Sequence, residues 1–368
     1  MLKISNENLV AFHPGYYVRR YLEDQNMNQR ELADRLNTNE KTVSQLINGK
    51  IELDSELIEG LALVLGTSES LWKNLNDKYL ETKGQIEKQN RLDAEKNVQR
   101  QLDYKFWENL GVVKHTNKTV EKISEMKKFF RVSNLMVLEN RDFLVQYKTV
   151  IPEVKDKNVI NSNAWIQTAL NMGDLEDVES INLEYLKSRL PDIRKMTIED
   201  PETFMPKLRI ILKQAGVAFV VIPNLKNCGV NGAVKWMGKD KVLLVMNDRS
   251  KYADIFWFAL FHEIRHIFQK KKGHIIVSAE KNIGLKSALD LDRLEKDADD
   301  FAKNYLIDQT KYDEFVKEKD FSGESVEKFA EKNQINSGIV IGRLQQEKYL
   351  GYSQLNDLRQ KLTVSADK

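Results

Sequence analysis

The sequence predicts a predominantly α-helical chain that carries one small α+β domain towards its C-terminal end. Three observations lead there. Proline and glycine are sparse, 6 and 17 among 368 residues, so long stretches run without a helix breaker. Residues 1–80 hold five short helical patterns in succession, each with its own start signal. Two β-rich apolar runs, GVAFVVIP (216–223) and KVLLVMN (241–247), then precede DIFWFALFHEIRHIFQK (254–270), a helical stretch that is apolar almost all round.

Composition bounds the function classes. At 41% hydrophobic and 30% charged residues the chain reads as soluble and globular, with room for two or three domains. With 57 Lys+Arg against 55 Asp+Glu the net charge is +2, which gives no global argument for nucleic acid, membrane or an acidic substrate. The single cysteine, Cys228, rules out an intrachain disulfide, fits a reducing cytoplasm and reads as a small structural residue. The opening MLKISNENLVAFHPG has no apolar signal-peptide core, and the longest apolar run, Ile255–Phe261, is far too short to span a bilayer, so no membrane partner is expected.

In the first segment, residues 1–80, Pro14 opens a helix through Gln25 with Tyr17, Val18, Tyr21 and Leu22 on its apolar stripe. Asn28, with Glu31 three residues on, makes a capping-box start for a second helix that turns Leu32, Ala33 and Leu36 inward. After a short turn at 37–39, Asn39 caps a third helix, Glu40–Ile47, with Val43, Leu46 and Ile47 inward and Gly49 as its stop. Asp54 or Ser55 starts a fourth, with Leu57, Leu61, Leu63, Val64 and Leu65 inward, and Ser68 a fifth, with Leu71, Trp72 and Leu75. Two short helices joined by a tight turn inside such a unit read as a helix-turn-helix, and the small Ala33 lets them cross closely. The segment holds 9 Lys+Arg against 12 Asp+Glu, a net of −3, so DNA binding by one copy is expected to be weak and local, and a homodimer presenting two half-sites to compensate.

Residues 81–200 read as a helical connector and scaffold. Residues 81–104 are charged and almost breaker-free, with Ile86, Leu92, Val98 and Leu102 as a thin stripe; a solvated linker helix is expected over a dimer-forming one. His115 reads as a surface residue.

Residues 201–310 carry the chemistry. A helix over 201–215 leads into the two β-rich runs, with NGAVKWM (231–237) as a strand between them and Gly229, Gly232 and Gly238 as breakers. His262, Glu263 and His266 spell H-E-x-x-H. Two His four residues apart share one helix face, which suits a zinc ion, and the adjacent Glu263 can act as general base. The bland alternative is a buried, hydrogen-bonded His pair. Catalytic zinc needs a third protein ligand and an open position. Candidates are Glu295, Asp297 and Asp300 on the helix 294–306, which turns Ala298, Phe301, Ala302 and Tyr305 inward, and His274 in the preceding loop. Asp299, four residues after Glu295 and on the same face, can accept the free N–H of a zinc-bound His. The chemistry would be metal-assisted hydrolysis, with Glu263 taking a proton from water and passing it to the leaving amine. Arg265, inside the motif, would narrow or charge the cleft. The last segment, 311–368, is helical; residues 329–350 have a helix-turn-helix look, with a turn at 335–337 and Arg343 outward, although a packing pair that covers the zinc domain is the preferred reading.

Two resemblances sharpen this. HPGYYVRRYLEDQNMNQRELADRLNTNEKTVSQLINGK (13–50) resembles the DNA-binding domain of HigA-type antitoxins of the XRE repressor group, and GTSESLWKNLNDKY resembles that family's fifth helix. The resemblance implies that Glu40–Ile47 enters the major groove of a double-stranded operator, with Glu40, Lys41, Ser44 and Gln45 at base edges and Gln29, Arg30 and Lys50 at phosphates; a cognate toxin is an implied partner. FWFALFHEIRHIF and the later pattern E-x-x-A-D-x-F-A resemble the two motifs of ImmA/IrrE metallopeptidases, which implies Glu295, 29 residues after His266, as the third zinc ligand. The expectation is a cytoplasmic, antitoxin-type regulator carrying a zinc metallopeptidase domain, with a peptide or repressor as substrate. The alternatives are an active protease that its N-terminal module merely localises, or a non-catalytic sensor of peptidase-like fold.

Overall fold

In the computed structural model, which describes residues 2–140, 143, 156–248, 252–269, 275–279 and 289–362, the chain divides into two units, Met1–Lys96 and Asn97–Lys368. The first opens on an antiparallel hairpin of β1 (Lys3–Ser5) and β2 (Val10–Phe12), too short to register as a strand pattern in the sequence. His13 ends the hairpin and caps α1 (Pro14–Asp24): its Nδ1 accepts the Gly15 N–H at 3.0 Å. Gly15 has no alternative, since a Cβ there would collide with the Leu46 carbonyl oxygen. Asn28 caps α2 (Gln29–Arg35) and Asn39 caps α3 (Glu40–Ile47), each accepting the N–H three residues on, at 2.8 and 2.9 Å. Glu31, expected to complete a capping box, accepts from Arg35 at 2.7 Å, one turn on. Between α2 and α3 the turn places Asn37 at φ 49°, a left-handed conformation that Asn tolerates. Buried Val18, Leu32, Ala33, Val43, Leu46 and Leu61 form the centre of this helical core.

In α4 (Ser55–Val64), capped by Asp54, Leu61 is buried but Leu63 is 76% exposed, against expectation. Residues two positions apart on a helix point about 200° apart, so Leu61 and Leu63 cannot both face one core. The fifth helix and the expected connector are one continuous α5 (Glu69–Gln99), and the segment boundary expected at residue 80 lies inside it. Its Tyr79 and Ile86 bury Ala11 of the hairpin.

The second unit is helical around one small sheet. It starts with α6 (Tyr104–Asn109), α7 (Thr119–Phe130), α8 (Asp156–Leu175), α9 (Leu183–Lys195) and α10 (Pro201–Gln214). Strands β3 (Val217–Ile222), β4 (Val230–Met237) and β5 (Lys241–Asn247) follow, then α11 (Ala253–Phe268) and β6 (Ile275–Ala279). The sheet order is β3-β5-β4-β6, with β3 and β5 parallel and β4 antiparallel to both of its neighbours. All six residues of β3 are buried, which is why it reads as one unbroken apolar run. Phe219, Leu244 and Val234 pack into the core with α10 and α11. On the other face α8 approaches β3 and β5, with Gly173 against Leu243, and Trp165 Nε1 donates to the Pro223 carbonyl at 3.0 Å.

The chain closes with α12 (Leu289–Leu306), α13 (Gln309–Glu318), α14 (Gly323–Asn333) and α15 (Ser337–Gln346). Helix α15 buries Ile339, Val340, Ile341 and Leu344 and lies on α11, the covering role preferred from sequence. Arg343, expected outward, is buried: its guanidinium lies 3.7 Å from the centre of the Tyr312 ring and donates to the Ile307 carbonyl, Gln309 and Glu347. The segment after α15 returns to the start of α11, where Arg359 and Asp254 form a buried two-point ion pair at 3.1 and 2.7 Å. No helix among the described residues is long and apolar enough to cross a membrane.

Candidate metal centre and DNA-reading helix

Helix α11 buries Phe256, Trp257, Leu260, Phe261, Ile264 and Ile267 in the core, which fixes its rotation. The remaining stripe, one helical turn from His262 to His266, then faces α12. The completely buried Ala298 and Ala302 let α12 come close, and Glu295 and Asp299 meet the His pair. His262 Nε2 is 3.0 Å from His266 Nε2, and Glu295 stands 3.3 Å from the first ring and 3.2 Å from the second. Among the described residues these three form a set whose donor atoms all lie within 4.8 Å of one another.

Each ring's far nitrogen says what the near one offers. His262 Nδ1 is 3.0 Å from Asp299 Oδ1, and His266 Nδ1 is 2.8 Å from Gln269 Oε1. A carboxylate and an amide oxygen only accept, so both Nδ1 atoms carry a proton, and in the neutral rings both Nε2 atoms present lone pairs. In that state two lone pairs and a carboxylate converge on one point. Such a cluster calls for a positive charge at its centre, and two imidazoles with one carboxylate are the donor set of hydrolytic zinc sites. The same demand is visible in titration, where a proton on His262 beside the Glu295 carboxylate meets it. Burial opposes charge on His262, but its hydrogen bonds to Asp299 and Glu295 outweigh it and hold the ring up at about 10. Burial likewise opposes charge on Glu295, yet His262 and His266 pull it down to about 2.

Glu263 is buried beside this cluster and packs against strand β4. A Cβ on Gly232 would fall 2.6 Å from Glu263 Oε1, so any larger residue there must push the carboxylate aside. The strand is irregular there: its pairing with β6 shifts register between Val230 and Gly232, and the buried Asn247 side chain donates to the Val230 carbonyl at 2.7 Å. Bulges of this kind re-aim a strand beside a site. Gly232 appeared in the sequence only as a breaker, and Asn247 and Gln269 gave no signal, because each acts across elements distant in sequence.

Other sequence candidates are placed apart from the centre. Asp297 is held by Arg265 through both oxygens, at 2.8 and 3.0 Å, and is not a ligand; Asp300 is exposed, and His274 lies outside the described residues. Arg265 neither fills nor charges the cleft in isolation, since its charge is matched by Asp297 and its guanidinium lies 5.3 Å from the Phe301 ring centre. His115 is exposed, 3.1 Å from Glu108.

In the first unit, Glu40 and Lys41 at the N-terminal end of α3 are exposed, as are Arg30 and Lys50; Ser44, Gln45 and Gln29 are half-buried. Arg19 closes the other end of α3 by donating to the Ile47 carbonyl and Asn48 Oδ1, at 2.9 and 2.8 Å. Helix α3 is thus tied at its C-terminal end by Arg19 and exposes Glu40 and Lys41 at its N-terminal end.

Comparison with known proteins bears on this first unit. The Helix-turn-helix family matches residues 18–72. An uncharacterized HTH-type transcriptional regulator of Escherichia coli (strain K12), YddM, is 32% identical over 66 residues, which cover 18% of this chain and 70% of that protein. A crystal structure described as a putative antidote protein of a plasmid maintenance system, from Nostoc punctiforme, is 28% identical and covers 22% of this chain and 89% of its own, with a TM-score of 0.21. An addiction module antidote protein of a HigA family from Coxiella burnetii is 23% identical, covering 23% of this chain and 91% of its own, also at a TM-score of 0.21.

Proposed function

The chain belongs, through its N-terminal segment, to the helix-turn-helix transcriptional regulators, and from that premise we propose that it is an operator-binding regulator of the antitoxin type whose second unit is a zinc-dependent peptidase. The observation that carries the peptidase half is the convergence of two imidazole lone pairs and one carboxylate beside a buried glutamate. Zinc held there would supply Lewis acidity towards water and a peptide carbonyl. His262, His266 and Glu295 would hold the ion, and Asp299 would orient His262. Glu263 takes the proton from the attacking water and returns it to the leaving amine.

The regulatory half rests on α3. Glu40, Lys41, Ser44 and Gln45 read base edges, while Gln29, Arg30 and Lys50 hold phosphates. The net charge of −3 over residues 1–80 makes a homodimer on two half-sites the working form. The resemblance of residues 13–50 to HigA-type antitoxins supports a toxin as protein partner, and this pairing of parts supports a repressor or other regulatory protein as the substrate, in the cytoplasm with the DNA.

Replacing Glu263 with Gln is the test. Under this reading E263Q abolishes cleavage of susceptible proteins while zinc content and operator affinity stay at wild-type values. Cleavage that survives E263Q, from protein freed of contaminating proteases, contradicts it.

A further inference from the structure

Arg265, inside the motif, and Asp297, beside the ligand Glu295, are absorbed by none of the roles above. Their contacts form one chain. Arg265 donates to both oxygens of Asp297, Nε to Oδ2 at 2.8 Å and Nη2 to Oδ1 at 3.0 Å. Gln269 Nε2 donates to the same Asp297 Oδ2 at 2.8 Å and to the Leu294 carbonyl at 2.9 Å. Gln269 Oε1 then faces His266 Nδ1 at 2.8 Å.

The orientation of the Gln269 amide decides what it does. Its nitrogen sits between an ionised carboxylate and a backbone carbonyl, both acceptors without a proton to give. A flipped amide would set its oxygen against those two oxygens, so the flip is excluded. The Arg265 guanidinium donates to both Asp297 oxygens, so the carboxylate can only accept from Gln269. The amide oxygen is therefore locked towards His266, whose Nδ1 must carry the proton. The two ligand imidazoles are oriented by different means: His262 by a carboxylate, His266 by a neutral amide that is itself fixed by an ion pair.

We propose that Gln269 is the positioning residue for His266, and that the Arg265–Asp297 pair acts through it by locking its amide. The purpose of the network rests on the zinc reading; its existence as a tautomer lock does not. The network also ties α11 to α12 at the level of Glu295, so it fixes the spacing between the two helices that supply the ligands.

The experiment compares wild type, Q269L and D297A, each checked for folding. Zinc affinity is measured by competition with a chromophoric chelator, and the imidazole N–H protons are observed by downfield proton NMR with and without zinc. Wild type is expected to show a protected His266 Nδ1–H resonance. Q269L loses that resonance to solvent exchange, retains the one from His262, and binds zinc about 10- to 100-fold more weakly. D297A moves both readouts in the same direction by acting on Gln269 from behind, and covers the case in which Q269L does not fold. Unchanged zinc affinity and an intact His266 resonance in either variant overturn the proposal. A wild type that binds no zinc but keeps the protected resonance overturns the zinc reading and upholds the tautomer lock.

Discussion

Glu263 and Gly232 face each other across a gap that one methyl group would close. Gly232→Ala must displace the carboxylate, and a misplacement of about 1 Å lowers turnover by roughly 100-fold. Zinc content should not change, because no ligand touches Gly232; assay of cleavage and bound metal on the same preparation checks both. His13 offers a second test at this scale. Burial lowers its pKa from 6.5, and its neutral Nδ1 caps α1. Below pH 6.5 the unfolded ring takes up a proton that the folded ring resists. Its contribution is thus complete above pH 6.5 and is lost as pH falls through the lower folded value. H13A should lose about 1 kcal/mol at neutral pH, whereas H13N keeps a cap and flattens this acid-side decline; melting of the first unit against pH distinguishes them. The sequence displayed His262, Glu263 and His266 because one helix turn orders them, and Asp299 because it lies one turn from Glu295. It hid Gln269 and Gly232, whose partners lie on other elements.

At the scale of elements, what was legible followed periodicity and caps. Asn28, Asn39 and Asp54 start helices where their side chains reach the N–H three residues on. What escaped was short or tertiary: the three-residue strands of the N-terminal hairpin, the five residues of β6, and the inward turn of Arg343, which a stacked Tyr312 and a backbone carbonyl make affordable. The start of α11 is pinned by the buried Asp254–Arg359 pair, whose side chains are 6% and 8% exposed. Arg359→Met leaves an aspartate buried without its cation, and the second unit should lose about 3–5 kcal/mol, read from chemical denaturation. Asp254→Asn combined with Arg359→Met should recover much of that loss, since both charges then leave together.

The whole molecule joins a helix-turn-helix unit to a unit with a His262–His266–Glu295 cluster, and the two should fail separately. Binding to operator DNA should weaken steeply with salt, with a slope that reports the phosphate contacts proposed for Arg30 and Lys50. K50A is expected to reduce that slope by about one without altering sequence preference, and Q45A to relax preference at one base pair by about 1–3 kcal/mol. Neither should alter the metal centre. His262, His266 and Glu295 are the three groups proposed to hold one zinc ion. X-ray absorption on the purified protein, with metal stoichiometry from the same sample, tests that assignment most directly. One zinc per chain is expected, with two imidazole nitrogens at about 2.0–2.1 Å and carboxylate or water oxygens at about 2.0–2.2 Å, all lost in H262A. Folded protein that takes up no zinc when it is supplied in excess, or that binds it equally well in H262A, would contradict it.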